Sequence, residues 1–182
     1  MIFGDPIKFA ILMEYVPQWS EEGSYRNGMF HFILDSTILP EFASVATLGV
    51  DVRCLQFNNA LVDHVEDSVL FHMDAKTAFQ DMLGRMLPGR LGIDVDDDFV
   101  NEYRFRVSSI NLEEFDCFVF AVAFEDKLRI VGAKISDDFS SPYDVEDLRV
   151  SEVVVEKEEV AKIVAGAVGY YESIKEMPWG AD

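Results

Sequence analysis

The segment CFVFAVAFEDKLRIVGAKI (residues 117–135) decides the fold. Cys117 to Phe124 is an unbroken apolar run bounded by Asp116 and Glu125. It falls far short of the ~20 residues a membrane helix takes, and its continuous apolarity reads as a buried strand. Glu125-Asp126 breaks the run, and Lys127 to Ile135 returns as its hairpin partner. An antiparallel pair therefore stands late in the chain, and the other elements are placed around it.

On its C-terminal side, Leu148 to Val155 reads as a last strand. Val160, Ile163, Val164, Ala167, Val168, Tyr171 and Ile174 then make one apolar stripe at helical spacing, ended by Pro178. Gly166 and Gly169 lie on this helix, and small residues there let it approach a sheet closely. On the N-terminal side, Tyr103, Phe105 and Val107 alternate with Glu102, Arg104 and Arg106, which predicts a strand. Asp74 to Leu87 has helical period, with Asp74 as N-cap and Leu87-Pro88-Gly89 as the stop. Thr47 to Leu55 alternates, Leu48, Val50, Val52 and Cys54 against Thr47, Gly49, Asp51 and Arg53, which predicts a half-buried strand. Phe9 to Val16 and Met29 to Leu34 read as neighbouring strands across a polar loop holding Trp19, with Asn27-Gly28 as a turn. The fold class is α+β: a mainly antiparallel β-sheet with one or two packed helices, including a C-terminal helix.

The chain has 182 residues, is 49% hydrophobic, and carries 34 acids against 15 bases, a net charge of -19. Apolar content of that size supports a core, unlike a disordered acidic tail. The length fits one domain. Negative charge spread over roughly 9,000 Å² of surface disfavours nucleic acids and anionic membranes and favours basic partners. The charge is uneven: residues 1–90 hold 12 acids and 6 bases, and residues 91–182 hold 22 and 9. The second half is thus the expected source of a cation-facing surface. The N-terminus has neither the cationic nor the apolar part of a signal peptide, and a cytoplasmic location is expected. Cys54 and Cys117, both in strand-like stretches, are expected to be buried free thiols.

Catalytic and metal motifs are poorly supplied. An EF-hand loop starting at Asp94 needs Gly and Glu where Phe99 and Phe105 stand. His31, His64 and His72 form no zinc pattern, and no nucleophile elbow or phosphate-binding loop occurs. No cofactor, metal or catalytic residue is expected. Arg104 and Arg106 sit among acids and are expected to pair with them rather than with phosphates.

The opening of the chain is more specific. Gly4-Asp5-Pro6-x-Lys8-Phe9-Ala10, then Trp19, then Asn27-Gly28-Met29-Phe30-His31-Phe32 resembles the immunity protein 42 family of bacterial polymorphic toxin systems. The specific match covers about residues 1–35. The resemblance implies a single immunity-type domain over 1–182, a cytoplasmic antitoxin that neutralises a cognate toxin domain. It carries over no catalytic residue. Its matched positions look architectural: Asp5-Pro6 and Asn27-Gly28 suit turns, Phe9 and Phe30 a core. Toxin domains of such systems often act on nucleic acids through basic clefts, so a basic toxin, a nuclease, is the expected partner.

Local charge density selects the expected partner-binding residues: Asp94, Asp96, Asp97, Asp98 and Glu102, then Asp137, Asp138, Asp144, Glu146 and Asp147. Trp19 and Trp179 are the candidate aromatic anchors. Two other readings stand beside the antitoxin: an acidic adaptor or chaperone for a basic client, and a hydrolase using carboxylates such as Glu113-Glu114.

Overall fold

The structure, a computed structural model, describes residues 1–135 and 148–179. The strands are β1 (Ile2–Gly4), β2 (Phe9–Tyr15), β3 (Asn27–Leu34), β4 (Thr37–Leu39), β5 (Ala46–Thr47), β6 (Cys117–Phe124), β7 (Lys127–Lys134) and β8 (Ser151–Glu156). The helices are α1 (Leu48–Gln56), α2 (Ala60–Asp63), α3 (Ser68–His72), α4 (Ala75–Met86), α5 (Ile110–Glu113) and α6 (Lys157–Lys175). The class is α+β, as expected, with the strands divided between two antiparallel sheets. One runs β1-β2-β3-β4, with β5 on the start of β3; the other runs β6-β7-β8.

The hairpin holds as predicted. Cys117 pairs with Lys134 and Phe124 with Lys127 around a turn in which Glu125 takes a left-handed φ of 52°. The apolarity of β6 has a simple cause: both its faces are buried. Cys117, Val119, Ala121 and Ala123 join a first core with β2, β3, α1 and α6. Phe118, Phe120 and Val122 join a second core with α3 and α4. From Cys117 to Ala123 every side chain is buried, so a polar one there would need a buried partner.

The C-terminal helix also forms as predicted. Glu158 and Glu159 in its first turn and Lys175 in its last complement the helix dipole. A Cβ on Gly166 would lie 3.0 Å from Phe3, so this glycine lets α6 close on β1; Gly169 faces open space.

Three expectations are corrected. Thr47–Leu55 is not a strand: β5 stops at Thr47 and α1 follows. The buried residues are Leu48, Asp51, Val52 and Leu55, a helical spacing that a strand reading hides, because Asp51 looks wet but faces inward. Cys54 therefore lies on a helix and is half-buried, whereas Cys117 is buried in β6; both are free. Tyr103–Val107 builds no ladder. Phe105 and Val107 do enter the core, but only Arg106 bridges to Phe120 and Tyr103 stays outside. Asn27-Gly28 is no turn but the first part of β3, where a Cβ on Gly28 would sit 1.9 Å from the Glu14 carbonyl oxygen. That glycine serves the close approach of β2 and β3, which pair from Phe9↔Leu34 to Tyr15↔Gly28.

Candidate functional site

Helix α4 is the platform of the site. Asp74 caps it by accepting the backbone N–H of Lys76 and Thr77 at 3.1 Å each. Ala78, Phe79, Met82, Leu83 and Met86 seat it on the second core. Pro88 ends it in a 3-10 turn, and Gly92 leaves that turn at φ 64°.

The loop that follows is fixed at both ends to the C-terminal end of α4. The Ile93 N–H donates to the Pro88 carbonyl (3.1 Å). On the return, Asn101 Nδ2 donates to the Met86 carbonyl (2.6 Å) and the Glu102 N–H to the Arg85 carbonyl (2.9 Å). Residues 94–100 are thus an excursion with adjacent, anchored feet. They carry Asp94, Asp96, Asp97 and Asp98, all exposed and without an ion pair among the described residues. A run of like charges repels itself in a helix or a ladder, so irregular backbone suits it.

Glu102 differs from these aspartates. It pairs with Arg104 and lies 3.6 Å from Arg85, which also holds Asp81 at 2.5 Å. Its charge is largely spent inside the chain. Arg106 makes a two-pronged bond to Glu113 (2.6 and 2.8 Å), and Ser108 Oγ adds a third at 2.8 Å. Arg104 thus pairs with its neighbour Glu102 as expected, whereas Arg106 takes its acid, Glu113, from α5. The bonds of Glu113 also make it a structural group and not a free member of a carboxylate pair. A cavity of about 340 Å³ beside β4 and β7 is lined by Thr37, Leu39, Glu41, Lys134, Arg149 and Ser151 among others. Glu41 is the sole carboxylate among its described lining, so the pair that acid–base hydrolysis uses is not assembled there.

Asp137, Asp138, Asp144, Glu146 and Asp147 lie outside the described residues. Trp19, on the 3-10 turn Pro17–Trp19, is 39% exposed and remains available to a partner. Trp179 is engaged: the Arg26 guanidinium lies 3.6 Å from its ring centroid. Arg26 itself is buried, donating to the Met177 carbonyl and, at 2.8 Å, to the Tyr15 hydroxyl. This clasp ties the end of α6 to the first sheet, a role that residue spacing alone does not reveal.

Two of the three histidines, His31 and His72, are held in structural hydrogen bonds. His31 is buried, its Nδ1–H donates to the Pro40 carbonyl (3.0 Å), and burial lowers its pKa. His72 Nδ1–H bonds the Ser68 carbonyl at 2.8 Å. Among the described residues no three His, Cys, Asp or Glu side chains gather to hold a metal, and no helix is long and apolar enough to cross a membrane.

No curated protein matches this sequence. The fold is similar to the crystal structure of CdiI from Burkholderia dolosa AUO158, with a TM-score of 0.73 and 20% identity, covering 93% of this chain and 99% of that one. The sequence model of immunity protein 42 matches residues 1–170, far beyond the N-terminal motif. The chain therefore belongs to the immunity protein 42 family.

Proposed function

We propose that this protein neutralises a basic toxin domain, a nuclease, by laying its acidic loop over or into the active cleft. The family gives the coarser statement: the chain is an immunity protein, an inhibitor and not an enzyme, and its partner is a cognate toxin. The finer reading rests on one observation. Asp94, Asp96, Asp97 and Asp98 stand exposed on an anchored loop without a basic partner among the described residues, while neighbouring arginines are matched to their own acids. Such a loop leaves a local negative field that steers a cationic partner. Asp137, Asp138, Asp144, Glu146 and Asp147 add five further acids to the partner-binding set proposed from the sequence. Residues 1–182 act as one immunity-type unit in the cytoplasm of the producing cell. The likeness to CdiI supports a place in contact-dependent growth inhibition.

Co-expression tests the reading. The cognate toxin domain, sought as the C-terminal domain of a large secreted protein encoded beside this gene, should kill host cells, and this protein should rescue them. A toxin from an unrelated locus should not be countered. An adaptor for basic clients would instead bind many cationic proteins and rescue cells from none.

A further inference from the structure

Charge explains attraction but not a lasting complex, and the acidic loop carries a second feature that does. Ile93, Val95, Phe99, Val100 and Tyr103 are all exposed, Val100 at 82%. They share an eleven-residue stretch with the four aspartates that have no ion pair among the described residues, and the loop leaves and returns at one place, the end of α4. Exposed apolar side chains are ordinary when scattered. Three gathered on one short excursion, Val95, Phe99 and Val100, with Ile93 and Tyr103 at its two feet, mark a surface that a partner covers. Intramolecular packing covers them only in part: the Ile93 side chain reaches α4 beside Gly84 and Phe99 keeps 38% of its surface open, while the chain enters the core only at Phe105 and Val107.

We propose that Ile93, Val95, Phe99, Val100 and Tyr103 form the apolar centre of the toxin-binding surface, with Asp94, Asp96, Asp97 and Asp98 as its charged rim. This rests on the antitoxin reading above and defines its partner further. The toxin surface is an apolar depression bordered by lysines or arginines. An extended phosphate-binding track alone would leave the five side chains unburied, and a wholly apolar pocket would leave the aspartates facing low dielectric without partners. An apolar centre within a polar rim is the common anatomy of protein interfaces. The anchored feet of the loop limit the conformational freedom lost on docking, which favours residence.

The test uses the full chain and the cognate toxin domain identified by rescue, in stopped-flow or surface-capture kinetics. The triple substitution Phe99→Ala, Val100→Ala, Tyr103→Ala should raise the dissociation rate about tenfold or more and leave the association rate within about twofold. These positions are exposed, and an unchanged thermal midpoint establishes that the variant is folded. Independently, amides 93–103 of the unaltered protein should gain hydrogen-exchange protection in the complex. A tight complex with no protection over 93–103 and an unchanged dissociation rate overturns this site while leaving the antitoxin reading standing. No complex between the unaltered protein and that toxin overturns both.

Discussion

The Ser109 hydroxyl donates a hydrogen bond to the carboxylate of Asp51, and Asn111 Nδ2 donates to the other oxygen at 2.8 Å, so a buried acid on α1 is tied to the start of α5. Asp51 is wholly buried. Burial raises its pKa from 3.8 to about 6, and the bonds from Ser109 and Asn111 only partly oppose that rise. The folded state therefore holds this proton more tightly than the unfolded chain does. The resulting stability is fully present below about pH 4 and is lost as pH rises through 6. Relative to Asp51→Asn, the unaltered protein should gain about 1 kcal/mol from pH 7 to pH 5, and up to about 3 kcal/mol below pH 4. Urea unfolding across pH checks this, and parallel profiles for the two proteins would refute it.

Arg129 is 3% exposed, and it joins the second sheet to α3. It donates to the carbonyls of Leu70 (2.7 Å), Phe71 (3.1 Å) and Met73 (2.7 Å) and to Glu152 at 2.5 Å. Arg129→Met leaves three carbonyls without their donor and should cost about 3 kcal/mol. Glu152→Gln, at a carboxylate more exposed to water, should cost less than about 1 kcal/mol. Denaturant midpoints of the two variants measure the contrast, and equal losses would show that Arg129 does not hold α3.

Two glycines should respond to alanine with opposite sign. At Gly28 the new Cβ meets the Glu14 carbonyl oxygen at 1.9 Å, backbone against backbone, so β2 and β3 must separate. A loss of at least about 3 kcal/mol is expected. At Gly169 a Cβ meets nothing within 4 Å, and alanine in the helix should stabilise by about 0.5–1 kcal/mol. Thermal unfolding reads both, and a tolerated Gly28→Ala would contradict the close approach of the two strands.

The two thiols should separate by reactivity. Cys117 is fully buried and its pKa is pushed up to about 11 by burial. Cys54 is half-buried, with a pKa also raised by burial. A thiol reagent should label Cys54 first in the native protein, and Cys117 only upon unfolding. Labelling of native Cys54→Ser at the unaltered protein's rate would reverse this assignment.

Sequence reveals an element where one physical demand governs the whole segment. β6 is buried on both faces, so it has to be apolar throughout, and α6 shows an uninterrupted stripe. It misleads where two demands meet. On α1, Asp51 is polar yet buried because Ser109 and Asn111 satisfy it, and its charge masks the helical period of Leu48, Val52 and Leu55. The acidic loop at 94–98 is legible because like charges exclude regular structure. The pairing of Glu102 is not, because Arg85 reaches it only when the chain folds back on α4. Trp179 likewise looks free until Arg26 arrives from the other end of the chain.

The most direct test is the association rate with the cognate toxin domain, measured across ionic strength for the unaltered protein and for Asp94, Asp96, Asp97 and Asp98 all changed to Asn. The unaltered rate should fall steeply with salt, and the variant should associate about tenfold more slowly at low salt with a much flatter dependence. Equal rates with equal salt dependence would contradict a steering role for this loop and move the interface elsewhere.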